Sequence, residues 1–115
     1  MFLPSTLQVL LCTTPTDMRK SIDGLCCLVQ DVLADSPVNG TVFVFCNRGR
    51  DKLKLLYWDA NGFCLLYKRL EKGRFSFPTH TTQLSLQAGE LRDLLSGLSF
   101  LRRAPRVVKT PCFYS

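Results

Sequence analysis

One histidine, His80, and one tryptophan, Trp58, are all that the chain has of either residue, and its six cysteines include no CxxC pair and none near that histidine. A zinc site is therefore not expected, and a His-dependent triad has no partners to draw on, so His80 reads as a surface residue in the Thr-rich loop after Pro78. The glycines of NRGRD and EKGRF match neither the phosphate-loop nor the dinucleotide pattern. Acid is also scarce and badly placed for chemistry. Asp17 and Asp23 are six residues apart in a helical pattern and so on different faces, while Asp51 and Asp59 fall at opposite ends of one expected strand, roughly 25 Å apart and too distant to share a metal. The expectation is a protein with no catalytic residues, no metal and no cofactor. No segment approaches the ~18 consecutive apolar residues of a membrane span, and MFLPSTLQVLLC lacks a basic leader, so neither a membrane partner nor a signal peptide is expected.

What the chain does have is a folding composition and an excess of positive charge. Its 115 residues, 46% hydrophobic and 21% charged, suit one domain with its own core. Fifteen Lys and Arg stand against nine Asp and Glu, a net charge of +6. From Arg48 to Arg74 there are eight basic and three acidic residues, and the segment from Arg102 to Lys109 adds four basic residues with no acid. Charge gathered in this way points to a polyanionic partner, DNA before others. Cys12, Cys46 and Cys64 sit in apolar strand-like runs and Cys26-Cys27 in a helical pattern, as expected of buried free thiols in a reducing, cytoplasmic setting.

Gln8 to Cys12 reads as a first strand. TTPTD supplies a helix start, with Thr14 as N-cap, Pro15 at the first helical position and Asp17 as the capping-box acid near the helix dipole. Met18, Ile22, Leu25, Val29 and Val32 form the helix's apolar stripe, and Asn39-Gly40 turns the chain into the strand TVFVFC. In KLKLLYW, Leu53, Leu55 and Tyr57 share the expected core face, with Lys52, Lys54, Leu56 and Trp58 on the other. DANG then reverses the chain, Asn61 and Gly62 both tolerating positive φ, so that FCLLYKRL returns antiparallel with Lys54 opposite Lys68 or Arg69. RFSFP reads as a short final strand. Ser85 is the expected cap of a second helix bearing Leu91, Leu94, Leu95 and Leu98. The predicted fold is α+β, a small antiparallel sheet in the order β-α-β-β-β-(β)-α with two helices on one face. Residues 1–101 form the expected domain and 102–115 a flexible basic tail.

Aromatic rings interleave with cations through this region, an arrangement that stacks bases while Lys and Arg hold phosphates. The candidate nucleic-acid-binding set is Arg48, Arg50, Lys52, Lys54, Trp58, Lys68, Arg69, Lys72 and Arg74, with NRGRD suited to bidentate phosphate contact.

Three stretches, PTDMRKSIDGL (15–25), VFVFCNRGRDKLKLLYWDANGFCLLYKRLEKGRFSFP (42–78) and SLQAGEL, resemble the TnpB-type accessory proteins of the bacterial insertion-sequence family sixty-six, over roughly residues 8–98. The resemblance implies a protein encoded beside a separate transposase and assisting transposition, with no catalytic activity of its own. DNA, at transposon ends or non-specifically, and the element's transposase are the partners it implies. A nucleoid-associated location follows if DNA is bound. Cys26-Cys27 replaces a pair of small residues more usual in relatives. Asn47, Gly49 and Ser76 stand where cations are common, which would loosen a phosphate grip. Two other roles compete with DNA binding: an adaptor for the transposase anchored on Trp58 and Leu56, and a small nuclease, for which no convergent site is visible.

Overall fold

The computed structural model describes residues 7–97; the expected tail, the boundary at 101 and Leu98 lie outside them. The elements in chain order are β1 (Val9–Cys12), α1 (Ile22–Asp31), β2 (Val42–Cys46), β3 (Lys52–Asp59), β4 (Gly62–Arg69), β5 (Gln83–Leu86) and α2 (Ala88–Leu95). They build one five-stranded sheet in the order β4-β3-β2-β1-β5. The α+β class holds, with two differences from the expected layout. The sheet is mixed, because β1 and β2 run parallel with α1 as their crossover. The helices also lie on opposite faces. Val9, Leu11, Val42, Val44, Leu53 and Leu55 pack with Leu91 and Leu94 of α2. Phe43, Phe45 and Leu56 pack with Leu25, Val29 and Leu33 on the α1 side. β2 is consequently buried at all five positions, and the face of β3 that carries Leu56 is a second core face. A continuous apolar run such as VFVFC is what a strand covered on both sides requires.

Several boundaries differ for local reasons. α1 starts at Ile22 with Ser21 as N-cap, not at Pro15. The Thr16 N–H is taken by the Cys46 carbonyl at 2.8 Å and that of Thr13 by the Thr82 carbonyl at 3.0 Å, so the TTPT segment is stitched across strand ends instead of winding. Asp17 accordingly serves no helix; it holds Arg19. Val32 is 54% exposed beyond the helix end. RFSFP forms no strand: the Phe75 N–H makes a lone bond to the Arg50 carbonyl at 2.7 Å, and Phe75 and Phe77 are buried in the α2-side core. Each ring removed from water contributes roughly 2–3 kcal/mol, enough to hold an extended segment without a ladder. The last strand is QLSL, paired antiparallel with β1, so Ser85 lies in β5 and Gln87 is the N-cap of α2, its N–H donating to Glu90 Oε1 at 2.8 Å. In the β3–β4 hairpin the left-handed residue is Ala60 (φ 55°), not Asn61 or Gly62.

Two lysines of the candidate set tie the helical layers to the sheet. Lys54, buried on β3, donates from Nζ to the carbonyls of Met18 and Lys20, both at 2.8 Å. Lys68 lies on the opposite face, across from Leu53, and donates to the Leu95 carbonyl at the C-terminus of α2. Lys54 faces Tyr67 across the hairpin, not Lys68 or Arg69, and its ammonium sits 5.3 Å from that ring. Buried carbonyls that lose a charged donor pay their full desolvation cost. Lys54→Met is therefore expected to lower stability by roughly 2–3 kcal/mol in urea unfolding, against near-neutrality if the ammonium were a surface charge.

The thiols divide by burial. Cys12 and Cys46 are buried, Cys26 and Cys64 half-buried, and Cys27 exposed, unlike the burial expected for both members of the Cys26-Cys27 pair. Desolvation pushes the Cys12 thiol up and that of Cys46 up to about 11. Thiolate is the reacting form. At pH 8, alkylation followed by peptide mass mapping should modify Cys27 while Cys12 and Cys46 stay protected until denaturant is added; equal rates at Cys27 and Cys46 would contradict the packing described.

Candidate functional site

The strand register decides where the charges meet. Because Cys12 pairs with Phe45 and Gln83, Cys46 with Leu53, and Lys52 with Arg69, one end of the sheet collects the segment after β1, the β2–β3 loop, the β4–β5 connection and the start of β5. Those segments carry Arg19, Lys20, Arg48, Arg50, Lys52, Arg69, Lys72 and Arg74, against Asp17, Asp51 and Glu71, with Asp23 just inside α1. At the other end, the end of α1, the α1–β2 connection, the hairpin turn and the first turn of α2 carry Asp31, Asp35, Asp59 and Glu90, against one cation among the described residues, Arg92, whose guanidinium reaches back beside Gly89. The ends are roughly 25 Å apart along eight-residue β3. The protein is thus electrically polar along its strands. The hairpin face, where the sequence suggested a plate of cations, is not the site of convergence.

Within the cationic end the side chains differ in how free they are. Arg48, Lys72 and Arg74 are exposed and have no hydrogen-bond or ion-pair partner among the described residues. Lys52 and Arg69, like charges directly opposite each other, each lean on a local carboxylate, Asp51 at 3.4 Å and Glu71 at 3.0 Å. Solvent-exposed pairs of this kind hold their partners weakly and yield to a phosphate. Arg19 is bound to Asp17 at 2.7 Å, and that guanidinium, followed by the Arg19 N–H, holds the Asp17 carboxyl down to about 2. Lys54 and Lys68 are spent on backbone carbonyls, as above. Trp58 lies far from this end, half-buried and packed edge-to-face on Phe63 at 4.9 Å. It shares its face with Lys52 and Lys54 but belongs to the α1-side packing near the hairpin turn.

Asn47 organises the arginine loop. Its Oδ1 accepts the N–H groups of Asp51 (3.1 Å) and Lys52 (3.0 Å), and its Nδ2 donates to Asp51 Oδ1 at 2.7 Å, which keeps the Asp51 carboxyl below its usual range. The Asn47 carbonyl also accepts the Arg50 N–H at 3.1 Å. This residue stands where the resemblance implies a further cation, and it serves as the clamp that projects Arg48. Arg50 is held with φ 61° and its guanidinium lies 4.7 Å from the Phe77 ring centroid. A left-handed conformation at a non-glycine residue costs about 1 kcal/mol or more and persists only where its surroundings fix it.

Between these segments lies a groove of about 450 Å³ lined by Thr13, Thr14 and Pro15 after β1, Asn47, Arg48 and Arg50 after β2, and Phe77, Thr79, His80, Thr81 and Thr82 before β5. Sequence reasoning missed these threonines and set His80 aside. The available signal was the pairing of two Thr-rich stretches, TTPT and THTT, each abutting a strand end; only the β1–β5 pairing reveals that they face each other. The Thr13 hydroxyl donates to the Thr81 carbonyl and that of Thr81 to the Gln83 carbonyl at 2.9 Å, while His80 is exposed with no partner among the described residues. No group of three or more His, Cys, Asp or Glu side chains converges among the described residues, and no helix there is long and apolar enough to cross a membrane.

The family model described as "IS66 Orf2 like protein" matches residues 7–105. Two proteins of Sinorhizobium fredii (strain NBRC 101917 / NGR234) are similar over nearly their whole length. The uncharacterized protein y4jC is 36% identical over 106 residues, covering 91% of each chain. The uncharacterized protein y4hO is 38% identical over 101 residues, covering 85% of this chain and 88% of its own. No solved structure matches. With the match spanning every described element, the sheet and its cationic end included, the chain belongs to the IS66 Orf2-like family.

Proposed function

We propose that this protein is a non-catalytic accessory factor for transposition of an insertion-sequence element, and that it binds DNA through the cationic end of its sheet. The family supports the transposition-associated role. The observation that carries DNA binding is the one-ended charge: three loops and the strand ends beside them deliver their cations to a single surface, and three of those cations, Arg48, Lys72 and Arg74, have no partner to give up among the described residues. The contact is with phosphates. Guanidiniums and ammoniums on loops neutralise backbone charge, and no strand or helix among the described residues offers a row of cations to base edges, so sequence discrimination is modest.

This reading moves the expected contacts away from Lys54, Lys68 and Trp58 and onto Arg48, Arg50, Lys72 and Arg74, with Lys52 and Arg69 at the margin. Charge reversal at Lys54 or Lys68 perturbs the fold before it perturbs binding. A second reading, an adaptor that docks on the element's transposase, has one observation in its favour. β4 is an edge strand of eight residues with Leu66 (38%) and Tyr67 (51%) exposed, a surface able to pair with an extended segment. Of the two anchors expected from the sequence, Leu56 is fully buried and unavailable and Trp58 is half-buried. Co-purification of the transposase that survives nuclease treatment and high salt would favour the adaptor.

With about four phosphates neutralised, the logarithm of the association constant for duplex DNA should fall against log salt with a slope of roughly −3 to −4 between about 50 and 200 mM. The triple variant Arg48→Ala, Lys72→Ala, Arg74→Ala should flatten that slope by about 2 to 3 while its urea midpoint stays unchanged. A fluorescence titration showing no binding at low salt, or a slope indifferent to the substitutions, would overturn DNA binding by this end.

A further inference from the structure

We infer that the groove between the arginine loop and the two threonine stretches binds a terminal phosphate monoester, carried by the 5′ end of a DNA strand or by a free mononucleotide. The inference rests on the DNA-binding reading for its first source and is separable from it for the second. Four features of the groove support it.

The groove sits at the carboxyl ends of two adjacent parallel strands, β1 and β2, the position at which open sheets of this kind receive ligands. Its volume, about 450 Å³, is in the range of small-molecule sites. A flat cationic surface is sufficient for the internal phosphodiesters of a duplex, which lie on a continuous ridge with a sugar on either side. A recess walled by three chain segments instead accommodates a group with a single substituent.

The donor set is the second feature. Arg48 and Arg50 come from one short loop, and a guanidinium presents a planar fork that pairs with two phosphate oxygens at once. Arg50 is pre-positioned by its stack on Phe77 and its fixed backbone, whereas Arg48 is free to close over a ligand. The third feature is the opposing wall, where His80 and the hydroxyl of Thr82 have no hydrogen-bond partner among the described residues. Finally, no carboxylate lines the groove, since Asp51 is turned away by Asn47. Two guanidiniums with hydrogen-bonding side chains opposite match a monoester, which carries about −1.5 to −2 near neutrality, better than a diester with a single charge.

The test compares two duplexes of identical sequence, one with 5′-phosphates and one with 5′-hydroxyls, in binding to the full chain at fixed salt. The phosphorylated duplex should bind about tenfold more tightly, a difference of about 1.4 kcal/mol. Arg48→Ala should bring that ratio below about twofold, and Arg50→Lys, which keeps the charge but loses the fork and the stack, should lower it as well. Arg74→Ala, outside the groove, should weaken both duplexes together and leave the ratio unchanged. A nucleoside 5′-monophosphate at millimolar concentration should erase the advantage of the phosphorylated duplex, and the nucleoside without phosphate should not. Equal affinity for the two duplexes, or equal competition by nucleoside and nucleotide, overturns the inference. Steep salt dependence with equal affinities would sink the monoester site and leave DNA binding standing. Binding of the mononucleotide, lost in Arg48→Ala, with no binding of either duplex would do the reverse.

Discussion

The register of β2 is the constraint on which the rest depends. Val42–Cys46 is enclosed by α1 on one side and α2 on the other, and every residue of it is buried. A slip of one residue against β1 or β3 would exchange Phe43 and Phe45 with Val42 and Val44 between two cores of different shape. Such a slip misfits several side chains at once. The lock on this short strand therefore fixes both neighbours, and through them the ends at which all five strands begin or finish. Three loops that are distant in sequence arrive at one surface as a consequence.

The charged residues follow from that geometry in two distinct ways. Lysines inside strands are drawn into structure. Lys54 has nowhere to go but between the sheet and the loop before α1, where its ammonium satisfies two backbone carbonyls, and Lys68 does the same for the end of α2. Buried donors of this kind are stabilising only while fully satisfied. Cations on loops escape that fate. Asn47 draws the N–H groups of the β2–β3 loop inward, and Arg48 is left pointing to solvent as the residue with no backbone or carboxylate to hold it. The same protein thus uses one class of side chain as internal fasteners and as an external field, and sequence position within strand or loop separates the two.

Much of the fold was legible in the sequence because local signals and tertiary outcome agreed. VFVFC, KLKLLYWD and FCLLYKR carry β-branched or alternating patterns strong enough to survive any context, and the DANG turn fixes their hairpin. The α+β class followed. What the sequence could not disclose was pairing between distant segments. TTPTD has good capping chemistry, but the Cys46 carbonyl competes for the Thr16 N–H and wins. RFSFP alternates like a strand, yet its alternation reflects two buried rings without a neighbour to pair with. The parallel β1–β2 pair, and with it the placement of helices on both faces, was hidden because an apolar run of four or five residues does not reveal how many of its faces are covered. The candidate site was legible at the level of charge: the basic stretch from Arg48 to Arg74 is indeed where the cations gather. Which of them are free was not, since that depends on Asn47, on the carbonyls of Met18 and Lys20 before α1 and of Leu95 at the end of α2, and on the Thr-rich loops that close the groove.

The proposed contact surface for nucleic acid is the cationic end of the sheet. An amide NMR titration of the isotopically labelled chain with a short DNA duplex at low salt tests it residue by residue. Shifts are expected to concentrate at residues 13–20, 47–52 and 69–82, with residues 31–41, 59–62 and 86–90 unmoved. Shifts centred on the hairpin turn or the outer edge of β4, with the arginine loop silent, would contradict it.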